Sequence, residues 1–543
     1  MDTLIFFSKI AAGLCIYTFL YEILRYLFFK KLKDAQDISR FVSHHQINID
    51  RYKFTHKYLI KDDLLNDSEI NQEILKHAKE HDLRLELVRE KVAGYIDEIV
   101  PFFNILSFYK IGYRIAGASL NFMYDVVIDQ EEMKRLRTIK KEAVHIYIMN
   151  HRSNVDFVLS AYMLARNICI SFAVGEWARV WPLEHLFKSF GSYFVRRGYP
   201  EPLYHKVLER YLQVITLNHM TQGIFIEGGL SRDGLFRPPK VGLLSNIVNI
   251  LKDPNQQKEI LIIPTGINFD RVLEDTHLLS ESKEKTKEKP KRSLIWKLGS
   301  LGRLLAKLLI HLPVQIARIA LKKFSRNGYA SVSFGEPLSV NEFMKQHPEY
   351  FQVSREAQKD LLTQFASQVL DRIKEILPIP PVPIVSYAII SLNQDEIQEG
   401  DLVRKVSEIR KQLLSLQAKV VMGKEFQKHQ EARQQLEDER AVRTGDLHDY
   451  EMGMVLSDEA VETLKRACTI LIRRKIIQRK NGVFRVNPEK KYILQYYANS
   501  ILQFFDPTWV ENMKSNRATR ISYYGNPAHL DSSDILAEKS PPS

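Results

Sequence analysis

Val144-His145-Ile146-Tyr147-Ile148-Met149 forms a short apolar run, and the polar segment Asn150-His151-Arg152-Ser153-Asn154-Val155-Asp156 follows it directly. A short apolar run that ends at polar residues predicts a buried strand. Similar runs recur along the chain at Cys169–Val174, Ser192–Val195, Gly223–Ile226, Ile260–Ile267 and Ala330–Phe334. Helical or loop-like stretches separate most of these runs. The pattern predicts an α/β fold with a largely parallel or mixed sheet flanked by helices.

The polar segment after the first strand carries a candidate catalytic pair. A histidine that leaves the carboxyl end of a strand lies where α/β folds place reactive groups. Asp156, five positions after His151, can turn back and hold one ring nitrogen, which leaves the other free to take a proton from a hydroxyl. Most isolated pairs with this spacing are structural, so the pair gains meaning only from the segments that accompany it.

Two later segments offer binding sites for an anion. Arg196 and Arg197 end an apolar strand, and paired guanidinium groups suit a phosphate, although solvated surface arginines are the ordinary alternative. Glu227-Gly228-Gly229-Leu230-Ser231-Arg232 has little side-chain bulk, so its backbone N–H groups can approach an anion closely. Leu235 stands where a P-loop requires lysine, and the serine spacing misses that of a serine-hydrolase nucleophile elbow.

The segments together resemble the glycerolipid acyltransferases, in particular the branch that acts on glycerol 3-phosphate or dihydroxyacetone phosphate. The matching positions are Asn150–Ser153 with Asp156, Phe194 with Arg196 and Arg197, Glu227–Arg232, Pro239, Lys240, Gly242, Phe334–Pro337 and Tyr496–Ser500. The resemblance covers roughly residues 100–510. One departure is Leu230, where the family usually has arginine, and Arg232, Arg237 or Lys240 are the candidates to replace that cation.

The resemblance implies a glycerol-3-phosphate 1-O-acyltransferase, which moves a fatty acyl group from acyl-CoA or an acyl carrier protein thioester to the sn-1 hydroxyl. The product is lysophosphatidate, and the reaction is the first step of phospholipid biosynthesis. His151 is the expected general base and Asp156 the residue that fixes its tautomer, with no acyl-enzyme, cofactor or metal. The expected substrate-binding residues are Arg152, Arg196, Arg197, Glu227, Gly228, Gly229, Ser231, Arg232 and Lys240, with Glu227 facing the glycerol hydroxyl or orienting an arginine.

Two alternatives stay open at the level of sequence. The nearer one is the same chemistry on dihydroxyacetone phosphate or a lysophospholipid. The more distant one is a non-catalytic lipid-binding scaffold at a membrane surface, which the intact His151 and Asp156 disfavour.

Charge points to an anionic partner. The 543 residues include 78 Lys and Arg against 65 Asp and Glu, a net charge of +13. Between Lys283 and Arg326 there are 13 basic residues and two glutamates, beside leucines spaced as on one face of a helix from Leu294 to Leu312. Such a helix either packs on the domain or lies on a membrane, and its charge favours anionic lipid head groups over nucleic acid.

The N-terminal segment is a second candidate for membrane attachment. Residues 10–29 are apolar but interrupted, which is marginal for spanning a bilayer, so the segment is either an anchor or a helix of the core. We expect a membrane-associated protein at the cytoplasmic face, the inner membrane if bacterial. The three cysteines are too few and too far apart for a disulfide framework.

The predicted organisation has five parts. They are an N-terminal anchoring helix (1–33), a helical region (34–125), the α/β acyltransferase domain (126–340) with the basic amphipathic helix at 294–323, a C-terminal helical domain (341–510), and a disordered tail (511–543).

Overall fold

The computed structural model describes residues 57–101, 113–139, 142–164, 171–175, 184, 187–188, 191–196, 198–253, 256, 258–284, 326–423 and 446–518. The predicted anchoring helix, the basic helix at 294–323 and Arg197 lie outside these ranges. No helix within the described ranges combines the length and apolar character needed to cross a bilayer.

An eight-stranded sheet forms the centre of the fold. Its strands are β1 (Asp125–Ile128), β2 (Val144–Met149), β3 (Ser171–Gly175), β4 (Tyr193–Val195), β5 (Gln222–Phe225), β6 (Ile260–Phe269), β7 (Tyr329–Phe334) and β8 (Leu338–Ser339). The spatial order is β1-β7-β6-β2-β5-β3-β4, and β8 pairs with β6. All pairs are parallel except the two that β6 makes with β7 and β8. The predicted α/β fold with a largely parallel, mixed sheet is therefore confirmed.

Helices precede, flank and follow this sheet. In chain order they are α1 (Lys57–Leu65), α2 (Ser68–Glu80), α3 (Leu85–Ile99), α4 (Tyr113–Met123), α5 (Gln130–Thr138), α6 (Asp156–Leu164), α7 (Pro202–Leu217), α8 (Gly242–Val248), α9 (Asp275–Glu284), α10 (Val340–Gln346), α11 (Arg355–Glu375), α12 (Pro381–Leu392), α13 (Glu399–Ser415), α14 (Asp446–Arg473), α15 (Lys491–Asn499) and α16 (Pro507–Ala518). The helical character predicted for residues 34–125 holds for the described residues that precede β1.

The C-terminal region differs from its prediction as purely helical. It contains a second, antiparallel sheet of β9 (Glu396–Gln398), β10 (Ile477–Lys480) and β11 (Val483–Val486) in the order β10-β11-β9. Helix α16 also continues to Ala518, past the predicted start of the disordered tail at residue 511. The Asp506 side chain accepts the N–H groups of Thr508 and Trp509 at the start of this helix, and Met513 is buried.

One apolar cluster joins the central sheet to the C-terminal region. It includes buried residues from Leu120 and Tyr147 through Ile267 to Tyr497 and Met513. The six strands predicted from sequence each coincide with an observed strand within two residues at the described ends. Strand β2 lies in the interior of the sheet between β6 and β5, so the segment that follows it begins from a rigid base.

Candidate active site

Asn150 fixes the point at which the chain leaves β2. Its side-chain amide donates to the Ile267 carbonyl oxygen at 2.9 Å and accepts the Ile267 N–H at 2.8 Å. The side chain therefore forms two backbone-like hydrogen bonds to the neighbouring strand β6. This pairing holds the first residue of the polar segment in place directly before His151.

His151 and Asp156 form the predicted pair. His151 Nδ1 lies 2.9 Å from Asp156 Oδ2, and Asp156 is fully buried at the first residue of α6. The same Oδ2 accepts the backbone N–H groups of Arg152 at 2.6 Å and Ser153 at 3.0 Å. A carboxylate in this position accepts a hydrogen bond from Nδ1–H, so Nε2 carries the lone pair and can act as a base.

Aromatic rings hold the plane of the imidazole. The His151 ring stacks on Phe225, with ring centroids 4.0 Å apart and an interplanar angle of 17°. Phe225 in turn lies over Phe172, at 6.1 Å and 20°. Because Asp156 fixes one edge of the imidazole and Phe225 one face, the direction of Nε2 is set by two independent contacts.

Glu227 supports the backbone of His151. Its Oε1 accepts the His151 N–H at 3.0 Å and its Oε2 accepts the Arg237 N–H at 2.9 Å. The side chain is buried, and this burial raises the pKa of Glu227. The Ser231 N–H adds a hydrogen bond to the His151 carbonyl oxygen at 2.9 Å. The glycine-rich loop is thus hydrogen-bonded to the backbone of His151, and both carboxylate oxygens of Glu227 accept backbone N–H groups.

Arg152 and Ser231 hold the same loop from within. The Arg152 guanidinium donates to the Gly234 carbonyl oxygen and lies 4.8 Å from the centre of the Phe236 ring, and only 1% of the residue is exposed. Ser231 Oγ donates to the Leu235 carbonyl oxygen at 2.7 Å and accepts the Gly234 N–H at 3.1 Å. These two residues were predicted to bind substrate. Neither lines the cavity that opens at His151, and both instead form hydrogen bonds within the loop.

A cavity of about 1240 Å³ opens at His151. Among the predicted substrate-binding residues, Arg196, Gly228 and Lys240 line it. Apolar side chains also line it, among them Phe157, Phe172, Val174, Leu208, Ile224 and Phe225. Gly229 and Arg232 belong to the glycine-rich loop without contributing to this lining, and Arg197 lies outside the described residues.

The two motif cations that line the cavity, Arg196 and Lys240, differ in their surroundings. Arg196 Nε donates to Glu98 Oε1 at 2.7 Å, and this hydrogen bond raises the pKa of Arg196, so the guanidinium keeps its charge. Lys240 is exposed and its stem lies beside Gly228, where an added Cβ would be 2.6 Å from Lys240 Cδ. Gly228 has φ +62°, so this close approach and the left-handed backbone both require glycine.

Sequence reasoning missed several residues of this region. Glu98 comes from α3, Arg355 and Lys359 come from α11, and Glu274 lies just before α9. None of them stands in a motif, and only the folded chain brings them to the site. Among the residues that the structure describes, no three His, Cys, Asp or Glu side chains are grouped so that they could hold a metal ion.

Comparison with known proteins identifies two segments of the chain. Residues 129–268 match the family described as Acyltransferase, and residues 313–446 match the family described as Glycerol-3-phosphate acyltransferase C-terminal region. The chain is a relative of the glycerol-3-phosphate acyltransferases. The resemblance inferred from the motifs is thereby confirmed, and the site lies within an acyltransferase domain.

The curated relatives are distant. A glycerol-3-phosphate acyltransferase of Haemophilus influenzae is 24% identical over 388 residues, which cover 69% of this chain and 45% of that protein. Another glycerol-3-phosphate acyltransferase, from Aeromonas hydrophila, is 25% identical over 361 residues, which cover 64% of this chain and 42% of the relative. The chain therefore spans somewhat less than half the length of these relatives.

A solved structure with partial similarity is the 1-acyl-sn-glycerophosphate (LPA) acyltransferase of Thermotoga maritima. It is 18% identical, the match covers 48% of this chain and 75% of that chain, and the TM-score is 0.27. A score this low does not support a superposition of the two sites.

Proposed function

We propose that the chain is a glycerol-3-phosphate 1-O-acyltransferase, transferring a fatty acyl group from a thioester to the sn-1 hydroxyl of glycerol 3-phosphate. The observation that carries the proposal is the His151–Asp156 pair at the wall of a cavity that also presents cations and an apolar surface. The choice of glycerol 3-phosphate as the acceptor follows the activity for which the relatives are named.

In the proposed reaction His151 Nε2 takes the proton of the acceptor hydroxyl as its oxygen attacks the thioester carbonyl carbon. The tetrahedral intermediate collapses with cleavage of the carbon–sulfur bond, and the leaving thiolate takes the proton from the imidazolium. Asp156 stabilises the imidazolium between these two steps. General-base assistance of this kind is worth roughly 10² to 10⁴ in rate.

The acceptor phosphate is assigned to the cations at the cavity wall. Lys240 is exposed beside Gly228, and it can supply the charge that is absent at Leu230. Arg196 keeps its charge through Glu98 and is the second candidate. Both cations are residues of the recognised motifs, whereas the buried Arg152 is assigned to the support of the loop.

The remaining space is assigned to the donor. The apolar wall that includes Phe157, Phe172 and Val174 suits a fatty acyl chain. The proposal includes a membrane-associated location at the cytoplasmic face. It is supported by the basic segment between residues 283 and 326, which contains 13 basic residues and only two glutamates.

Initial-rate assays of the purified chain test the proposal. Labelled glycerol 3-phosphate, dihydroxyacetone phosphate and lysophosphatidate are compared as acceptors, each with acyl-CoA and with an acyl carrier protein thioester. We expect acylation of glycerol 3-phosphate at the highest kcat/KM and loss of activity in His151→Ala, with His81→Ala, an exposed histidine at the end of α2, as the control. A His151→Ala variant with wild-type turnover would overturn the mechanism, and a preference for another acceptor would overturn the substrate.

A further inference from the structure

The motif Tyr496–Ser500 does not line the cavity, although it is part of the recognised pattern. It lies at the C-terminal end of α15, next to the two loops that form the site, which are the polar segment after β2 and the glycine-rich loop. Tyr497 Oη donates to Asp275 Oδ2 at 2.6 Å, and Asn499 Nδ2 donates to the Asp233 carbonyl oxygen at 2.8 Å. The C-terminal region thus contacts the start of α9 through Tyr497 and the glycine-rich loop through Asn499.

Glu274, next to Asp275, spans the turn that carries the catalytic pair. Its Oε2 accepts a hydrogen bond from the Ser153 hydroxyl at 2.7 Å, and its Oε1 accepts one from the Asn154 N–H at 3.3 Å. Ser153 Oγ also accepts the Val155 N–H at 3.2 Å. Asp156 holds this turn from inside through Oδ2, and Glu274 holds it from outside. The distance between His151 and Asp156 depends on the shape of the turn.

Asp275 fixes the position of Glu274, and residues from the C-terminal region hold Asp275. Arg474 lies 2.6 Å from Asp275 Oδ2 and donates to Oδ1 at 2.8 Å, and only 1% of Asp275 is exposed. The Val272 N–H donates to Tyr497 Oη at 3.0 Å. Burial, and then the neighbouring Asp275 carboxylate, raise the pKa of Tyr497, so its hydroxyl remains a proton donor. The segment 272–275 is therefore held on both its backbone and its side chain.

The glycine-rich loop is held by the same helix. An added Cβ on Gly234 would lie 1.9 Å from the Tyr496 carbonyl oxygen, which shows how closely α15 approaches this loop. The Gly234 carbonyl oxygen accepts from Arg152, the residue after the catalytic histidine. Two sets of contacts therefore connect α15 with the turn between His151 and Asp156. One runs through Asp275 and Glu274, and the other through Gly234 and Arg152.

We propose that Glu274 and Tyr497 are positioning residues for the His151–Asp156 pair, Glu274 by holding the turn through Ser153 and Asn154, and Tyr497 by holding Asp275. Tyr497 thus influences the turnover rate of acyl transfer without touching either substrate. The inference rests on the proposed function. A small displacement of a catalytic group can lower the rate about 10²-fold, so contacts that only position the pair can have a large effect on kcat.

The variants Glu274→Ala, Glu274→Gln and Tyr497→Phe test this proposal in the full chain. We expect kcat to fall about tenfold or more in Glu274→Ala and Tyr497→Phe, with KM for glycerol 3-phosphate and acyl-CoA within about twofold of wild type. Glu274→Gln keeps one acceptor oxygen and recovers much of the loss. The control is Tyr193→Phe, because Tyr193 is also fully buried and its hydroxyl has no hydrogen-bond partner in the described part of the chain.

A double-mutant cycle separates positioning from general destabilisation. If Tyr497 acts through Glu274, the kcat losses of Glu274→Ala and Tyr497→Phe are not additive, whereas independent losses add. Additive losses, or a wild-type kcat in Tyr497→Phe, would refute the inference. Thermal melts identify a variant that does not fold, and the milder Glu274→Gln and Tyr497→Phe then decide. A wild-type chain that acylates no glycerol phosphate would count against the proposed function itself.

Discussion

At the scale of single residues, Asp156 concentrates its contacts on one oxygen. Oδ2 serves the His151 ring and two backbone N–H groups, while Oδ1 makes no hydrogen bond with the residues that the structure describes. The carboxylate therefore orients the imidazole and shapes the turn with the same atom. A substitution that removes this oxygen atom would therefore affect both functions together.

Asp156→Asn separates the charge of this residue from its shape. The amide keeps one acceptor oxygen for the turn but carries no negative charge to stabilise the imidazolium. We expect kcat to fall by about 10²-fold or more while the melting temperature changes little. Initial rates at saturating substrates and a thermal melt measure the two effects. A variant within threefold of wild-type kcat would show that the charge is not needed.

The sequence predicted the pairing of His151 with Asp156 but not which motif residues face the cavity. The spacing of His151 and Asp156 is local, so a single turn can satisfy it. Arg152 and Glu227 have the same chemical character as phosphate- or hydroxyl-binding residues. Their burial is set by the Gly234 carbonyl oxygen and the Arg237 N–H, which lie elsewhere in the chain. A motif names residue types, whereas the fold determines which way they point.

At the scale of elements, the first turns of α11 place two cations at the cavity. Arg355 and Lys359 are one helical turn apart, both exposed and both part of the lining. Replacing both with glutamate should raise KM for acyl-CoA about tenfold at low ionic strength, because the phosphates of coenzyme A are repelled.

Acyl-pantetheine is the matched donor for this test because it lacks those phosphates. Its KM should stay near the wild-type value in the same variant. In the control variant, glutamate replaces Arg404 and Lys411, two exposed cations of α13 that do not line this cavity. Equal increases in KM for both donors would argue against contact between α11 and the coenzyme.

The last turn of α11 carries a pH-dependent contribution to stability. Burial raises the pKa of Glu375 from 4.5 to about 7, opposed by Arg372 and Arg517. Because the folded chain holds this proton more tightly than the unfolded chain, the contribution is present below pH 4.5 and is lost as the pH rises through about 7. Relative to Glu375→Gln, the wild-type free energy of unfolding should fall by up to about 3 kcal/mol across this window.

Denaturant unfolding of wild type and Glu375→Gln at several pH values measures this difference. The comparison cancels groups that titrate equally in both proteins. A difference that stays constant between pH 4.5 and 7 would mean that Glu375 titrates normally in the folded chain.

Element prediction succeeded where strands were long and buried. Strand β6 is buried over its whole length, and β2 over most of it, so their apolar runs are visible in the sequence. Strands β1 and β10 were missed because β1 is only half-buried and three of the four residues of β10 are exposed. The partner of β1 is β7, which lies far away in the chain, and local periodicity carries no such information. Strand β10 pairs with the adjacent β11 across the turn at Asn481 and Gly482, but its exposed residues lack an apolar run.

At the scale of the whole molecule, Gly234 is a point of close approach between the glycine-rich loop and α15 of the C-terminal region. Its φ is +86°, and an added Cβ would overlap the Tyr496 carbonyl oxygen. We expect Gly234→Ala to lower the free energy of unfolding by about 3 kcal/mol or more, since strain and steric overlap combine.

Gly482→Ala is the matched control for this change. Gly482 has φ +76°, but an added Cβ there would meet no atom within 4 Å. It should therefore cost only the roughly 1–2 kcal/mol of left-handed backbone strain. Urea unfolding of both variants provides the comparison. Equal losses would mean that α15 moves aside at no cost.

The apolar cluster shared by the sheet and the C-terminal region bears on where the chain can be shortened. Boundaries drawn from motifs suggest that the segment 126–340 could be produced alone. Cutting there would leave half of a continuous core exposed to water, including the surfaces that Tyr496, Tyr497 and Phe504 cover. Such a fragment should aggregate during expression, so truncation is a poor route to a minimal enzyme.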